Sequence, residues 1–337
     1  MRSRQKKLMR AVLASGMAAA VMTACGGSDG PVVPPQLSAA QAAAFVGDCA
    51  DLTAKISALS STSITAINKI AAGTVKVGGV DIPEHCQVTG KMNQRTGIDG
   101  ASYAIGFEIR LPKTWNGRFY HQGNGGTDGT VVTALGGLGG GPVSGALFQG
   151  FAVLSSDAGH SGGAPDFGVD PQARLDYGYQ AVGKLTPMAK SVITSAYGKG
   201  PDRSYFGGCS NGGRHAMVTA TRYPNDYDGI LVGAPGYNLP TAAVANLAGA
   251  RLYATLATTA TASTAADLAT GFTDTERSLL GTRVLAKCDA LDGATDGLVQ
   301  DVAACQAAFM SFCSMSFLRS VSAVSLWIAS TAGVGAM

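Results

Sequence analysis

A serine set between small residues, where a predicted strand meets a predicted helix, constrains this chain more than any other feature. The pattern is G-x-S-x-G, and its residues are Gly208-Cys209-Ser210-Asn211-Gly212. Residues 204–207 predict a buried strand, and residues 212–223 predict a helix. A sharp turn between two such elements brings the positions two before and two after the serine close together, so both need glycine. The pattern therefore predicts a strained bend that presents the Ser210 hydroxyl away from the backbone.

Predicted strands and helices alternate along most of the chain. The predicted strands are 103–111, 117–122, 151–154, 204–207 and 228–235, and the predicted helices are 39–59, 172–197, 212–223, 252–268 and 274–288. Such alternation predicts an α/β fold with a mostly parallel sheet. A chain of 337 residues is long enough to bury a full core, as one large domain or two moderate ones.

The composition excludes several classes of protein. Hydrophobic residues make up 46% of the chain and there are 46 glycines, which is typical of a globular α/β protein and of neither a disordered nor a collagen-like one. The formal net charge is +3, and the 14% of charged residues are scattered apart from a basic start. Because no basic stripe forms, we expect no nucleic-acid partner.

The start of the chain predicts export. Basic residues between Arg2 and Arg10 precede an apolar run over 11–22 that is too short to span a membrane. The following Met22-Thr23-Ala24-Cys25 resembles a bacterial lipoprotein signal, which would leave Cys25 as a lipidated first residue. The alternative is ordinary signal cleavage near the same place. We expect a periplasmic protein, an outer-membrane lipoprotein or a secreted protein.

Export makes the cysteines informative. Seven cysteines less the one at position 25 leave six, which are Cys49, Cys86, Cys209, Cys288, Cys305 and Cys313. In an oxidising compartment such cysteines form disulfides. The sequence has no C-x-x-C spacing of the kind that holds zinc.

An acidic, glycine-rich loop at 289–298 predicts a calcium site. Three carboxylates, Asp289, Asp292 and Asp296, fall within eight residues, and the interleaved glycines allow sharp turns. Oxygen ligands grouped in this way bind hard cations, and the carbonyls of Ala294 and Leu298 could complete the shell. The spacing is not that of an EF-hand. The alternative is a solvated acidic turn.

The motif residues also predict the parts of a serine hydrolase. Ser210 is the predicted nucleophile, and the alternative is a glycine-rich turn that only packs a helix on a sheet. The backbone N–H of Asn211, at a helix N-terminus, would stabilise an oxyanion. A second donor would come from Gly125 or Gly126, in a glycine-rich loop that follows a predicted strand. The alternative for that loop is a phosphate cradle, but the Lys-containing phosphate motif is missing.

The histidines leave one catalytic part unassigned. A hydrolase of this type takes its acid and its histidine from positions after the serine. The four histidines are at 85, 121, 160 and 215, and none follows position 215. We interpret Asp157 and His160 as structural or pocket-lining residues. His215 is interpreted as a packed or exposed helix residue that does not reach Ser210.

Several motifs together resemble the tannase and feruloyl esterase family. They are Gly207 to Arg214, Pro83 to Gly90, Trp115 to Phe119, Ser155 to His160 and the acidic loop between Cys288 and Cys305. The resemblance covers about residues 45–305. It implies an α/β-hydrolase core, a lid inserted after the strand near Val232, and a calcium ion held in the lid. It also implies hydrolysis of feruloyl-type or galloyl-type aromatic esters through an acyl-serine.

The resemblance also bears on the cysteines. It implies the bridges Cys49–Cys86 and Cys288–Cys305. Cys209 matches the family's cysteine before the nucleophile, whose partner there lies beside the catalytic histidine. No partner for Cys209 is identified, because no histidine follows Cys313.

The residue patterns and the resemblance together predict five parts of the chain. They are a signal peptide over 1–24, a linker over 25–38, a hydrolase core over 39–236, a partial lid with the calcium loop over 237–305, and an aberrant tail over 306–337. Residues 302–337 carry a single charged residue, Arg319, and we expect no match to the family after residue 305. A shifted reading frame or a genuine short apolar tail would explain this.

Because the downstream catalytic Asp and His are missing from the sequence, we expect impaired catalysis. The alternative functions are a non-catalytic, calcium-dependent binding module at the cell surface and a peptidase on the same fold.

Overall fold

The computed structural model describes residues 37–137, 145–258 and 264–310. The predicted signal peptide, the lipidation site at Cys25 and the tail beyond residue 310 lie outside the described residues. The chain divides between Ala40 and Gln41 into two units, and the description below concerns the second unit. Across the described ranges, the helices are all too short or too polar to cross a membrane.

Strands predominate in the first half of the described ranges, and helices predominate in the second half. The strands are β1 (Ala43–Ala44), β2 (Thr62–Ile70), β3 (Lys76–Val77), β4 (Val80–Asp81), β5 (His85–Thr96), β6 (Ser102–Pro112), β7 (Thr114–Trp115), β8 (Arg118–Gly123), β9 (Ala152–Ser156), β10 (Arg203–Cys209) and β11 (Gly229–Gly233). The α-helices are α1 (Leu52–Lys55), α2 (Pro171–Leu175), α3 (Ala181–Tyr197), α4 (Asn211–Arg222), α5 (Leu239–Leu256), α6 (Ala265–Ala269), α7 (Asp274–Cys288) and α8 (Val302–Met310). A π-helical turn, Asp176–Gln180, joins α2 to α3.

The main sheet has seven strands in the order β11-β10-β8-β9-β6-β5-β2. The pairs β11–β10, β10–β8 and β8–β9 are parallel, whereas β9–β6, β6–β5 and β5–β2 are antiparallel. The α/β class is confirmed, but the sheet is mixed where the sequence predicted a mostly parallel one. The reason lies in the connections, because only residues 97–101 join β5 to β6 and a parallel crossover needs about a dozen residues.

The predicted helix over 39–59 is wrong. Residues Ala43–Ala44 instead pair with Thr114–Trp115, and only Leu52–Lys55 form a helix. Gly47 between them has a left-handed backbone with φ +83°, and a Cβ there would lie 2.3 Å from the carboxylate of Asp51. Tertiary pairing therefore overrides the helix propensity of this alanine-rich segment.

The helices after the bend at Ser210 show where local sequence signals are sufficient to predict a helix and where they are not. The helix predicted over 274–288 is confirmed, and its start is fixed by a capping box between Thr273 and Glu276. The helix predicted over 252–268 is wrong, because α5 begins at Leu239 and ends at Leu256. Pro240 lies in its first turn, where proline is favoured.

The core lies between the sheet and α3. Leu185, Val192 and Ile193 on this helix are fully buried in one apolar cluster with residues of β6 and β8. The indole of Trp115 stacks on Tyr197 with ring centroids 4.5 Å apart. This packing leaves the carboxyl ends of β8 and β10 facing the same edge of the sheet, where their following loops meet.

Two disulfides implied by the family resemblance are confirmed. Cys49 bonds Cys86 across a separation of 37 residues, and Cys288 bonds Cys305 across 17. In the chain-entropy view, closing a loop of the first size stabilises the folded state by about 4 kcal/mol. The first bridge therefore fixes the segment before α1 to β5.

His121 on β8 is buried beside the strand that leads to Ser210. Its Nδ1 forms a 2.9 Å hydrogen bond with the Tyr227 hydroxyl, and its ring centroid lies 4.8 Å from that of Phe206. Burial lowers the pKa of His121 from 6.5 to about 3, and the nearby His215 adds to the shift. The folded protein therefore holds this imidazole neutral at pH values where the unfolded chain protonates it.

We predict that His121 makes folding stability fall as pH falls from 6.5 to about 3. The unfolded state binds the extra proton in this window, so the contribution approaches about 1.4 kcal/mol per pH unit. His121→Asn removes the titration. Urea unfolding at pH 7, 6, 5 and 4 should therefore give a shallower acid loss for the variant than for the wild type. Equal slopes for the two proteins would contradict the prediction.

Candidate active site

Ser210 lies at the bend between β10 and α4, as the sequence predicted. Its backbone has φ +58° and ψ −118°, a strained combination for a residue with a side chain. Three backbone hydrogen bonds hold it there. Its N–H donates to the Gly233 carbonyl at 3.1 Å, and its carbonyl accepts from Arg214 at 3.0 Å and Gly236 at 3.1 Å. The side chain is exposed, so the hydroxyl is accessible from solvent.

Glycines let the backbone segments around the bend approach one another. A Cβ on Gly208 would lie 2.5 Å from the backbone of Gly212, and a Cβ on Gly212 would lie 2.3 Å from the Gly123 carbonyl oxygen. A Cβ on Gly213 would lie 2.2 Å from the Gly233 carbonyl oxygen. The bend is therefore packed backbone against backbone on the ends of β8 and β11.

The glycine-rich loop at 123–126 lies directly beside the bend. Asn124 fixes the loop, because its side-chain amide donates to Ser155 Oγ at 3.0 Å and to the Ser156 carbonyl at 2.8 Å. Gly125 and Gly126 are exposed, and a Cβ at either would meet no atom within 4 Å. The structure thus brings the two predicted sources of oxyanion donors to one edge of the sheet.

Asn211 is the first residue of α4, and its side chain is buried. Its Oδ1 accepts hydrogen bonds from the Tyr177 hydroxyl at 3.0 Å and Arg214 Nε at 2.8 Å. Its Nδ2 donates to Asp128 Oδ2 at 2.6 Å. The backbone N–H groups of a helix's first turn have no partner within the helix, so they are free to bind a negative oxygen.

Sequence reasoning missed Asp128. The residue lies just after the glycine-rich loop, with a positive φ of +58°, and its carboxylate also accepts from His215 Nε2 at 2.7 Å. His215 is a packed helix residue. The sequence alone left open whether it is packed or exposed. The signal that could have identified Asp128 is its place next to a glycine-rich turn that follows a strand.

Asp157 and His160 lie beside this network. Asp157 Oδ1 accepts from the N–H groups of Gly106 and Gly159, each at 2.9 Å, and burial raises the pKa of Asp157 to about 7. The His160 ring stacks on Phe167 with centroids 3.7 Å apart. Among the described residues, no histidine hydrogen-bonds the Ser210 hydroxyl.

The acidic loop lies between the cysteines of the second disulfide. Each of its three carboxylates accepts hydrogen bonds from backbone N–H groups of the same loop. Asp289 accepts from Asp296 and Gly297, Asp292 accepts from Ala294 and Gln300, and Asp296 accepts from Leu298. The hydrogen bond from Gln300 lowers the pKa of Asp292. In the described ranges, no three acidic, histidine or cysteine side chains converge into a metal-binding group. The oxygen donors have the chemistry that calcium prefers, and Asp296 is exposed whereas Asp289 and Asp292 are half-buried.

Cys209 precedes Ser210 and is half-buried. Cys209 takes part in neither of the two disulfides that the described residues form.

Comparison with known proteins gives consistent matches. A family profile described as "Tannase and feruloyl esterase" matches residues 86–325, and so extends beyond residue 305, where we expected the resemblance to end. The chain is 43% identical over 237 residues to mono(2-hydroxyethyl) terephthalate hydrolase from Piscinibacter sakaiensis, covering 68% of this chain and 39% of that protein. It is 31% identical over 247 residues to "Probable feruloyl esterase B-1" from Neosartorya fischeri, covering 72% of this chain and 42% of that protein.

A solved structure of feruloyl esterase B from Aspergillus oryzae has a similar fold, with a TM-score of 0.58 and 26% sequence identity. The match covers 77% of this chain and 49% of that structure. This likeness confirms the predicted α/β-hydrolase fold class. The chain spans less than half the length of each of these relatives.

We predict that Gly212→Ala destabilises the fold by at least about 2 kcal/mol, because the new methyl group overlaps the Gly123 carbonyl in a packed bend. The matched control is Gly178→Ala, where a Cβ meets nothing within 4 Å. Replacing a helical glycine by alanine stabilises a protein by up to about 1 kcal/mol. Urea unfolding of both variants provides the measurement, and equal midpoints would refute the assigned contact.

Proposed function

Because the chain belongs to the tannase and feruloyl esterase family, we propose that it hydrolyses carboxylic esters of aromatic acids with Ser210 as the nucleophile. The observation that carries this proposal is the exposed Ser210 side chain on a strained bend at a helix N-terminus. The names of two relatives support the substrate class, since feruloyl and terephthalate esters are both esters of aromatic acids.

The proposed reaction follows the chemistry of an acyl-serine. Ser210 Oγ attacks the ester carbonyl and loses its proton to a general base, which passes it to the departing alcohol. The N–H of Asn211 and that of Gly125 or Gly126 would stabilise the negative oxygen of the tetrahedral intermediate. Water then attacks the acyl-serine and releases the aromatic acid.

We further propose that the protein is exported. The basic and then apolar start of the chain supports export, as do two disulfides, which persist in oxidising compartments. A lipid anchor at Cys25 would place the protein at the outer membrane. Cleavage without lipidation would leave it periplasmic or secreted.

We predict that a fluorophosphonate probe labels Ser210 and that Ser210→Ala abolishes the labelling. The reagent phosphonylates a serine hydroxyl beside oxyanion donors, so it reports the first half of the reaction even in a chain whose turnover is impaired. Ser191→Ala, at an exposed position on α3, is the control and should retain labelling. Labelling at another residue, or tight binding of an aromatic ester with no adduct at Ser210, would favour a binding protein instead.

We also propose that the acidic loop binds calcium. Asp289, Asp292 and Asp296 would supply carboxylate oxygens, with carbonyls of Ala294 and Leu298 as further ligands. The disulfide between Cys288 and Cys305 closes the loop at both ends and supports a fixed ligand geometry. Bound calcium would supply positive charge that cross-links the loop, and no step of the proposed reaction involves it.

We predict that saturating calcium raises the melting temperature and that EDTA reverses the rise. At a free concentration of about 100 times Kd the stabilisation is about 2.7 kcal/mol, or about 5 °C or more. Asp292→Asn keeps one oxygen that can accept a backbone N–H but removes the charge and the second acceptor, so the calcium effect should disappear. Asp166→Asn, at an exposed site away from the loop, should retain it. A wild type that does not respond to calcium would leave the loop as an acidic turn.

A further inference from the structure

We propose that Asp128 and His215 are positioning residues that clamp the glycine-rich loop to the first turn of α4. This inference deepens the proposed function and rests on it, since the clamped segments hold the two proposed sources of oxyanion donors. The clamp consists of one carboxylate oxygen that accepts two side-chain N–H groups, from Asn211 Nδ2 at 2.6 Å and from His215 Nε2 at 2.7 Å.

The position of Asp128 in the chain makes this contact a link between two segments. Asp128 closes a turn in which its N–H lies 3.4 Å from the Gly125 carbonyl oxygen. Its carboxylate therefore moves with the loop, whereas Asn211 and His215 both belong to α4. Asn211 adds a longer contact from its side-chain amide to the Asn124 carbonyl, at 3.4 Å. The loop and the helix start are thus joined through side chains at several points.

Burial makes the clamp stiff. The side chains of Asp128 and His215 are 2% and 5% exposed. A buried carboxylate is costly unless hydrogen bonds satisfy it, and hydrogen bonds to an ionised group are about twice as strong as neutral ones. Displacement of the loop from the helix would leave Asp128 without partners in a dry site. The energetic penalty for that movement holds the two segments in register.

The hydrogen-bond geometry excludes His215 as the base for Ser210. An ionised carboxylate only accepts, so Nε2 must carry the hydrogen that it shares with Asp128. Arg214 Nη2 is 3.2 Å from that nitrogen and cannot donate to it. The other nitrogen, Nδ1, is buried and has no partner among the described residues. His215 therefore orients Asp128 and has no nitrogen available at the surface.

The contacts of Asn211 show how the clamp would act on the reaction. Tyr177 and Arg214 bind its Oδ1, and Asp128 binds its Nδ2, so the whole side chain is fixed. A fixed side chain at the first helical position constrains the direction of the backbone N–H of the same residue. Preorganised donors stabilise a developing oxyanion without reorganisation, and loss of one donor costs about 10²–10³ in rate.

The first experiment measures the coupling without catalysis, by hydrogen exchange of the full chain followed by mass spectrometry. Asp128→Asn should accelerate amide exchange in 123–129 and in 210–215 together. The control is Asp170→Asn, at an aspartate that is also buried but binds Arg95 and the start of α2. Its effect should stay near 95–98 and 170–174. Faster exchange in 123–129 alone, with 210–215 unchanged, would overturn the clamp.

The second experiment uses the fluorophosphonate reaction at Ser210. Asp128→Asn should lower the maximal labelling rate at least tenfold, with little change in the half-saturating probe concentration. A merely destabilising change such as Asp170→Asn should alter neither value in the folded protein. Equal rates for Asp128→Asn and Asp170→Asn would overturn the positioning role.

Two further variants separate the hydrogen bond from the shape of the ring. His215→Gln can still donate to Asp128 and should retain most of the labelling rate, whereas His215→Phe keeps the volume and should lose it. These variants also decide the matter if Asp128→Asn fails to fold, and equal rates for the two would overturn the inference. A wild type whose Ser210 resists labelling while exchange remains coupled would defeat the proposed esterase and leave the clamp intact.

Discussion

The contact of backbone against backbone at Gly123, Gly208 and Gly212 is the constraint on which the rest of the site depends. No side chain can separate the end of β8, the end of β10 and the start of α4, because a Cβ at Gly208 or Gly212 would overlap a neighbouring backbone atom. That closeness forces the chain through a bend at Ser210 with a positive φ. It also brings the loop after β8 within reach of the helix, where side chains can join the two.

A second layer of polar side chains supports this contact from below. His121, Thr186 and Tyr227 are all buried, and their polar atoms bind one another between β8 and α3. On the side of the loop, Asp128 and Asn124 bind groups of other elements. The exposed Ser210 therefore lies above a layer of side chains whose polar groups are mostly hydrogen-bonded already, as a preorganised site requires.

Sequence reasoning predicted the elements whose signals are local and missed the contacts that only the tertiary fold creates. The strand β6, the bend at Ser210 and the helix Asp274–Cys288 follow from short patterns of apolar residues, glycines and caps. The segment 39–59 has the composition of a helix, yet pairing with β7 and a disulfide to Cys86 decide its shape. Asp128 belongs to no motif, because its separation of 87 positions from His215 follows no rule of spacing.

The mixed pairing of the sheet has a consequence for the order in which the chain can fold. Strands β5 and β6 are joined by a short hairpin, so they and β2 pair through contacts that are close in sequence. Pairing of the parallel strands requires closure of the long crossovers that carry α3 and α4, and closing such loops is slower than closing a short hairpin. The antiparallel half can therefore act as a template on which β9, then β8 and β10, assemble. The bend at Ser210 would then be among the last parts of the molecule to acquire its final geometry.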